Sequence, residues 1–267
     1  MLMVLYIFLQ VVGESFPISS SGHIAFLENV YYFFYPEEIQ FSIPLWFDYL
    51  LHIPAIAIVF SYFFLRFYQY LQRLFTAPLS LYPILKAIFI TDVFTACCYI
   101  AKDYMQSFFP LWIGFCVTGC ALYSLRYVSS RKVVESLEHL SWGNIILIAF
   151  AQCASLLPGV SRFGMTFVVA RWQGLKNDDA FFYSFIIVLP LFGAAALKGI
   201  LLSLYDSNVL IHGYSSQIVA ASIVLATLLS YHSFKVVGSL IRTNRLWYIS
   251  YYMFVVSAIV GMYSVLV

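Results

Sequence analysis

Gln10-Val-Val-Gly-Glu-Ser-Phe-Pro-Ile-Ser-Ser-Ser-Gly-His23 is the stretch whose reading decides the fold. It sets a carboxylate, three consecutive hydroxyls, a glycine and an imidazole inside sequence that is otherwise almost wholly apolar. Polar groups in such surroundings are expensive unless they are used. Pro17 stops any helix that enters the stretch, and Ser19, Ser20 and Ser21 read as the N-cap and first turn of the next one. A second stretch answers it, Gln152-Cys-Ala-Ser-Leu-Leu-Pro-Gly-Val-Ser-Arg-Phe-Gly-Met-Thr166, again a break followed by a helix start.

The surroundings explain why such breaks matter. Of 267 residues, 63% are hydrophobic and 10% charged, with a mean hydropathy of +0.89. That balance predicts an all-α polytopic membrane protein whose other direct partners are membrane lipids. Tyr and Phe near the ends of apolar runs read as interfacial belts and packing. A formal charge of +2 offers no basic field for nucleic acid, so that partner class is excluded. The apolar start, Met1 to Val12, lacks a basic leading region and a small-residue cleavage site, and is expected to stay in the mature protein. Cys97, Cys98, Cys116, Cys120 and Cys153 all lie in apolar runs, where they read as packing residues rather than metal ligands.

A membrane span needs about 20 apolar residues. Leu45 to Leu65, Ile84 to Ala101, Phe108 to Leu125, Ala180 to Leu204, Gln217 to Phe234 and Leu246 to Val267 meet that length, which gives six transmembrane helices. Residues 1–35 and 143–172 are broken by the two polar stretches and are expected to be re-entrant helix hairpins. Basic residues favour the cytoplasmic side of short loops. Arg66, Arg73 and Lys86, then Arg126, Arg131 and Lys132, then Lys235, Arg242 and Arg245 place three loops inside, and Glu37, Glu38 and Asp206 mark outer ones. The first hairpin then enters from outside and the second from inside. Each is followed by three spans, an odd number, so the single membrane domain divides into two repeats of opposed topology, about 1–128 and 143–267. At a constant offset of 142, Phe8, Gln10, Ser19 and Gly22 fall on Phe150, Gln152, Ser161 and Gly164.

Chemistry concentrates in the two breaks. Gln10 and Glu14 are four apart and share a helix face. A helix start at Ser19 to Ser21 offers free N–H groups to an anion such as phosphate, and Gly22 permits close approach. His23 lies three residues after Ser20 and four after Ser19, which is spacing for a nucleophile and a base; a capping cluster with a satisfied histidine is the alternative. In the second break Gly159 and Ser161 precede Arg162, whose forked cation suits phosphate oxygens unless it serves as a snorkelling anchor. Thr166, four residues on, points to the same cavity or packs. Asp48 and His52 read as a second shell around the site, a cation site, or a capping or interfacial pair. Asp92 and Lys198 are candidate inter-helix partners.

Taken together, Gln10-Val-Val-Gly-Glu14, Pro17-Ile-Ser-Ser-Ser-Gly-His23 and Pro158-Gly-Val-Ser-Arg162 with Gly164 and Thr166 resemble the undecaprenyl-diphosphate phosphatases, the bacitracin-resistance family. Phe47-Asp48 with Leu51-His52 resembles the family's next segment. The resemblance implies hydrolysis of undecaprenyl diphosphate to the monophosphate, recycling the lipid carrier of peptidoglycan synthesis, in the bacterial plasma membrane with the site open to its outer face. It implies Ser20 as nucleophile, with Glu14, His23 and Arg162 essential. Gln10, Ser19, Ser21, Gly22, Gly159, Ser161 and Thr166 are expected to surround the substrate. The charge of a diphosphate beside Glu14 calls for a divalent cation, Mg²⁺ or Ca²⁺, on Glu14 with Gln10 as a further ligand. Phe163, where the family commonly has serine, and Ile53-Pro54, where it has Leu-Gly, depart from the pattern. Direct attack by water is an open variant. The rival class is a polyprenyl-phosphate transporter or flippase, since inverted repeats with broken helices are also transporter architecture. The oligomeric state, a homodimer included, is left open.

Overall fold

The computed structural model describes residues 2–35, 43–128, 140–205 and 216–266. Glu37, Glu38, Arg131, Lys132 and Asp206, on which part of the expected orientation rests, lie outside the described residues. Among the described residues every regular element is helical.

The first break lies between α1 (Leu2–Ser15) and α2 (Ser20–Phe34), the second between α9 (Trp142–Ala154) and α10 (Arg162–Trp172). Each of the four has 15 residues or fewer, short of the length that crosses a hydrocarbon core at 1.5 Å per residue. In both pairs the two halves pack on each other. Between them run α3 (Leu45–Leu50) and α4 (His52–Tyr62), which together form one span, then α5 (Phe64–Thr76), α6 (Tyr82–Tyr99), α7 (Lys102–Phe108) and α8 (Leu111–Ser124). After the second pair come α11 (Asn177–Ile186) with α12 (Leu189–Tyr205), α13 (Ser216–Arg242) and α14 (Ile249–Leu266).

Among the described residues five helices or continuous helix pairs have the length and apolarity of a span, and a sixth is reached if the bent pair α7–α8 is one. That bend is the main departure from the expected spans. Of the expected span Phe108 to Leu125, Leu111 to Ser124 is one helix, α8, and α7 meets it at 98° just before it. Pro110 is the cause: it donates no N–H and forces Phe109 into an extended conformation, φ −95° and ψ 113°.

α5 is a second departure. Phe64, Tyr68, Leu71 and Phe75 are all exposed and recur at 3.6-residue spacing on one face, while Arg66, Gln69 and Arg73 take another. None of its residues is buried, the pattern of a helix lying in the membrane interface.

The interior is aromatic, built around Phe181, Phe182, Phe185, Phe167 and Phe234, with a smaller cluster of Tyr6, Ile7, Trp46, Phe47 and Leu51 where α1 meets α3 and α13. The outside is equally apolar: Phe89 is 69% exposed and Val265 86%, acceptable only where hydrocarbon replaces water. Contacts run in exchanged pairs, α1 on α13 and α9 on α6, with α8 on α14 and α3 on α12. The two short helix pairs are thereby each held by a long helix from the other half of the chain.

Candidate active site

The first tip is shaped by Ser19. Its φ of 66° is left-handed, a conformation that costs a residue with a Cβ roughly 1–2 kcal/mol. Three contacts hold it there: its hydroxyl accepts from the Gly22 N–H at 3.3 Å, and its carbonyl accepts from the His23 N–H at 3.2 Å and from His23 Nδ1 at 2.8 Å. Since a carbonyl only accepts, Nδ1 carries the hydrogen. His23 Nε2 lies 2.8 Å from the Tyr252 hydroxyl, and the two rings are nearly parallel, 5° apart at 5.7 Å between centroids. Phe115 meets the His23 ring edge-on at 5.0 Å. Both nitrogens of the histidine are therefore engaged, and neither holds Ser20. The Ser20 side chain is half-buried and Ser21 exposed; among the described residues neither hydroxyl is hydrogen-bonded.

The second tip is built the same way around Ser161, whose hydroxyl accepts from the Gly164 N–H at 3.1 Å. Its own N–H donates to Thr118 Oγ1 at 3.0 Å, and the Thr118 hydroxyl lies 3.3 Å from the Gly159 carbonyl, so α8 anchors this tip. The tips touch. A Cβ placed on Gly22 would stand 2.8 Å from Gly159 Cα, and one on Gly164 would stand 3.3 Å from Pro17 Cβ. Gly159 has a φ of 80° and lies against Leu111 and Phe115, where a side chain would find no room. Two helix starts thus converge. Among the described residues the N–H groups of Ser20, Ser21, Arg162 and Phe163 have no acceptor, as expected of a first turn, and such ends favour anions.

Glu14 is buried, with its side chain 3% exposed. Gln10 Nε2 donates to its Oε1 at 2.9 Å, as the four-residue spacing predicts, and His52 Nδ1 lies 2.7 Å from the same oxygen. Oε2 has no partner. The His52 ring stacks on Phe192, 4.8 Å between centroids at 19°, and the Arg162 guanidinium stands 4.7 Å from the centre of that same ring. Among the described residues Arg162 forms no ion pair and no hydrogen bond. The histidine beside the first stretch's carboxylate and the cation of the second stretch thus share one phenyl ring.

Other expected residues are placed differently. The Thr166 hydroxyl donates to the carbonyls of Arg162, at 2.9 Å, and Phe163, at 3.3 Å, so it braces the first turn of α10. Asp48 and His52 part company: Asp48 accepts from the Tyr6 hydroxyl at 2.6 Å, while His52 turns to Glu14. Asp92 and Lys198 are not partners. Asp92 lies 3.4 Å from Gln152 Nε2, and Lys198 lies 3.4 Å from the Tyr49 hydroxyl over its ring. Phe163, the departure from serine, fills the aromatic interior against Phe181 and Phe185.

Tyr252, Phe192 and Thr118 escaped sequence reasoning. Thr118 carries a weak signal, a hydroxyl four residues after Gly114 in an apolar run. Tyr252 is one of many belt-like tyrosines, and Phe192 carries no signal at all.

No three His, Cys, Asp or Glu side chains converge into a metal cluster among the described residues. The donor set nonetheless fits a hard divalent ion, because Glu14 Oε2 is buried and unpartnered and Mg²⁺ commonly takes one carboxylate together with substrate phosphates and waters.

The family model described as Bacitracin resistance protein BacA matches residues 3–259. Among curated relatives, a protein of Treponema denticola named Undecaprenyl-diphosphatase is 27% identical over 257 residues, covering 91% of this chain and 90% of the relative. One of Carboxydothermus hydrogenoformans with the same name is 28% identical, covering 92% and 90%. Undecaprenyl-diphosphatase 1 of Shouchella clausii is 27% identical, covering 96% and 93%.

Proposed function

The chain belongs to the bacitracin resistance protein BacA family, and from that membership we propose that it hydrolyses undecaprenyl diphosphate where its two broken helices meet. The products are undecaprenyl phosphate and inorganic phosphate, which returns the lipid carrier to cell-wall synthesis and underlies bacitracin resistance. The observation that carries the site is the convergence of the Gly22 and Gly159 tips, which brings two helix starts, Arg162, Glu14 and His23 into one polar region of an apolar protein.

The chemistry is phosphoryl transfer, so positioning and charge stabilisation do most of the work. Arg162 takes phosphate oxygens in its planar fork, helped by the N–H groups of Ser20, Ser21, Arg162 and Phe163. The isoprenoid tail stays among the exposed apolar side chains of the spans. The Ser20 oxygen attacks the terminal phosphorus, the bond to the bridging oxygen breaks, and undecaprenyl phosphate leaves. Water then cleaves the phosphoserine to release inorganic phosphate. His23 accepts the proton of the attacking oxygen and returns one to the leaving oxygen. In the resting structure its Nε2 is directed at Tyr252. Glu14, oriented by Gln10 and His52, would hold a Mg²⁺ or Ca²⁺ ion together with phosphate oxygens, and such an ion supplies neutralising charge.

The architecture we propose is an inverted repeat of two re-entrant hairpins, in the plasma membrane with the site toward its outer face. The exchanged contacts of α1 with α13 and α9 with α6 support it, as does the offset of 142 between the motifs.

The test is phosphate release from undecaprenyl diphosphate in detergent. Wild type is expected to be active, and Glu14→Gln, His23→Ala and Arg162→Ala to lose at least about a hundredfold, the range of a lost charge-stabilising or proton-transfer group. Ser20→Ala is expected to lose as much. Full activity in Ser20→Ala would replace the covalent route with direct attack by water. A wild type that carries labelled lipid across vesicles and releases no phosphate would make the protein a transporter.

A further inference from the structure

Resting on the phosphatase reading, we propose that Tyr252 is a further catalytic residue, the hydroxyl through which His23 exchanges its proton with the reacting oxygens. Three observations and one point of chemistry lead there. His23 Nδ1–H is committed to the Ser19 carbonyl at 2.8 Å, a contact made within the strained turn that shapes the tip. Only Nε2 is left to trade a proton, because an imidazole has no third nitrogen. Nε2 already has the Tyr252 hydroxyl at 2.8 Å. Ser20, although three residues before His23 on the same helix, is not hydrogen-bonded to it among the described residues.

Packing alone accounts for two parallel rings and does not require the hydroxyl to sit on Nε2. Tyr252 comes from α14, 229 residues from His23 in sequence, and α14 is fixed against α8, the helix that also carries Phe115 and Thr118. The same span therefore places the edge-on ring, the anchor of the second tip and, through α14, the hydroxyl. Tyr252 is 45% exposed and His23 8%, so the tyrosine is the more open member of the pair. A phenol both donates and accepts, which is what a relay needs.

The step balances without any outside reagent. As the bond from the nucleophile oxygen to phosphorus forms, the nucleophile's proton passes to Tyr252 Oη while the Tyr252 proton passes to Nε2. Tyr252 ends neutral and His23 ends as imidazolium. When the bridging oxygen leaves, the two hops reverse: Nε2 returns its proton to Oη, and Oη gives its other proton to the leaving oxygen.

The experiment is a comparison of wild type with Tyr252→Phe, which keeps the ring and removes the hydroxyl. Expected is a fall in kcat of about a hundredfold, within the range of a lost acid–base group, with KM within twofold and an unchanged melting temperature. Rates in mixtures of H₂O and D₂O are expected to bow downward in wild type, two protons moving together, and to fall on a straight line in Tyr252→Phe. Wild-type kcat in Tyr252→Phe overturns the proposal, and so does a straight line in wild type, a measurement that needs no variant. The two readings fail separately: a wild type without phosphatase activity refutes the phosphatase reading, and an active wild type indifferent to the hydroxyl refutes the relay alone.

Discussion

Gly22 and Gly159 face each other where the two broken helices meet, so closely that a Cβ on the first would stand 2.8 Å from the Cα of the second. Both belong to motifs legible in the sequence, and the contact joins stretches 137 residues apart. Overpacking of this kind typically costs about 1–3 kcal/mol. Gly22→Ala and Gly159→Ala are therefore expected to lower the melting temperature by several degrees and phosphate release by about tenfold or more, the second variant being worse because its φ of 80° disfavours any side chain. Gly193→Ala, with nothing within 4 Å of its added methyl, is the control and is expected to behave as wild type in both measurements.

Phe192 touches both Arg162 and His52, the residue beside Glu14. Its ring supports the guanidinium at 4.7 Å and stacks with His52, the partner of Glu14. A desolvated cation–π contact contributes up to about 2 kcal/mol. Phe192→Leu should raise KM about tenfold, since 1.4 kcal/mol is a factor of ten. A fall in melting temperature with KM unchanged would reduce Phe192 to packing.

Glu14 has one oxygen held by Gln10 and His52 and one without a partner. Chelator is expected to abolish phosphate release, and added Mg²⁺ or Ca²⁺ to restore it. In His52→Ala the half-saturating cation concentration should rise by about tenfold, the scale of a lost outer partner of a ligand, whereas Asp48→Asn, which faces Tyr6, should leave it unchanged. Activity indifferent to chelator would remove the ion from the mechanism.

Arg66 and Asp179 form an ion pair at 2.9 Å, with side chains 31% and 21% exposed, joining α5 to the start of α11. Partly exposed pairs contribute about 0–1 kcal/mol. Arg66→Ala is expected to shift the melting temperature by only a degree or two and to leave kcat intact. A larger loss of stability would point to the stacking of Arg66 on Phe182 at 5.0 Å.

Much of the site was readable because its signals are local. Gln10 and Glu14 are four apart on an uninterrupted helix, and their hydrogen bond follows from helical geometry alone. Ser19 and Ser161 cap their helices as hydroxyl residues after a break do. The serine–histidine spacing was equally visible, but the partners of the imidazole were not: Ser19 engages one nitrogen and a tyrosine from the far end of the chain meets the other. The partners of Thr166 were not legible either: a buried hydroxyl in a first turn has carbonyls within reach, and it donates to those.

The sequence by itself determined that the chain is helical and lives in a membrane, where each helix breaks, and which residues at the breaks carry charge. Proline, glycine and runs of apolar side chains act within a few residues and need no knowledge of the rest of the fold. Only the tertiary structure decided which groups face one another: Gly22 with Gly159, His52 with Glu14, Phe192 with Arg162, Tyr252 with His23. These pairings depend on how long helices pack, and in an all-apolar protein many faces are chemically alike. Selection among them comes from shape, from glycines that let backbones close up, and from the few polar groups that must find a partner away from water.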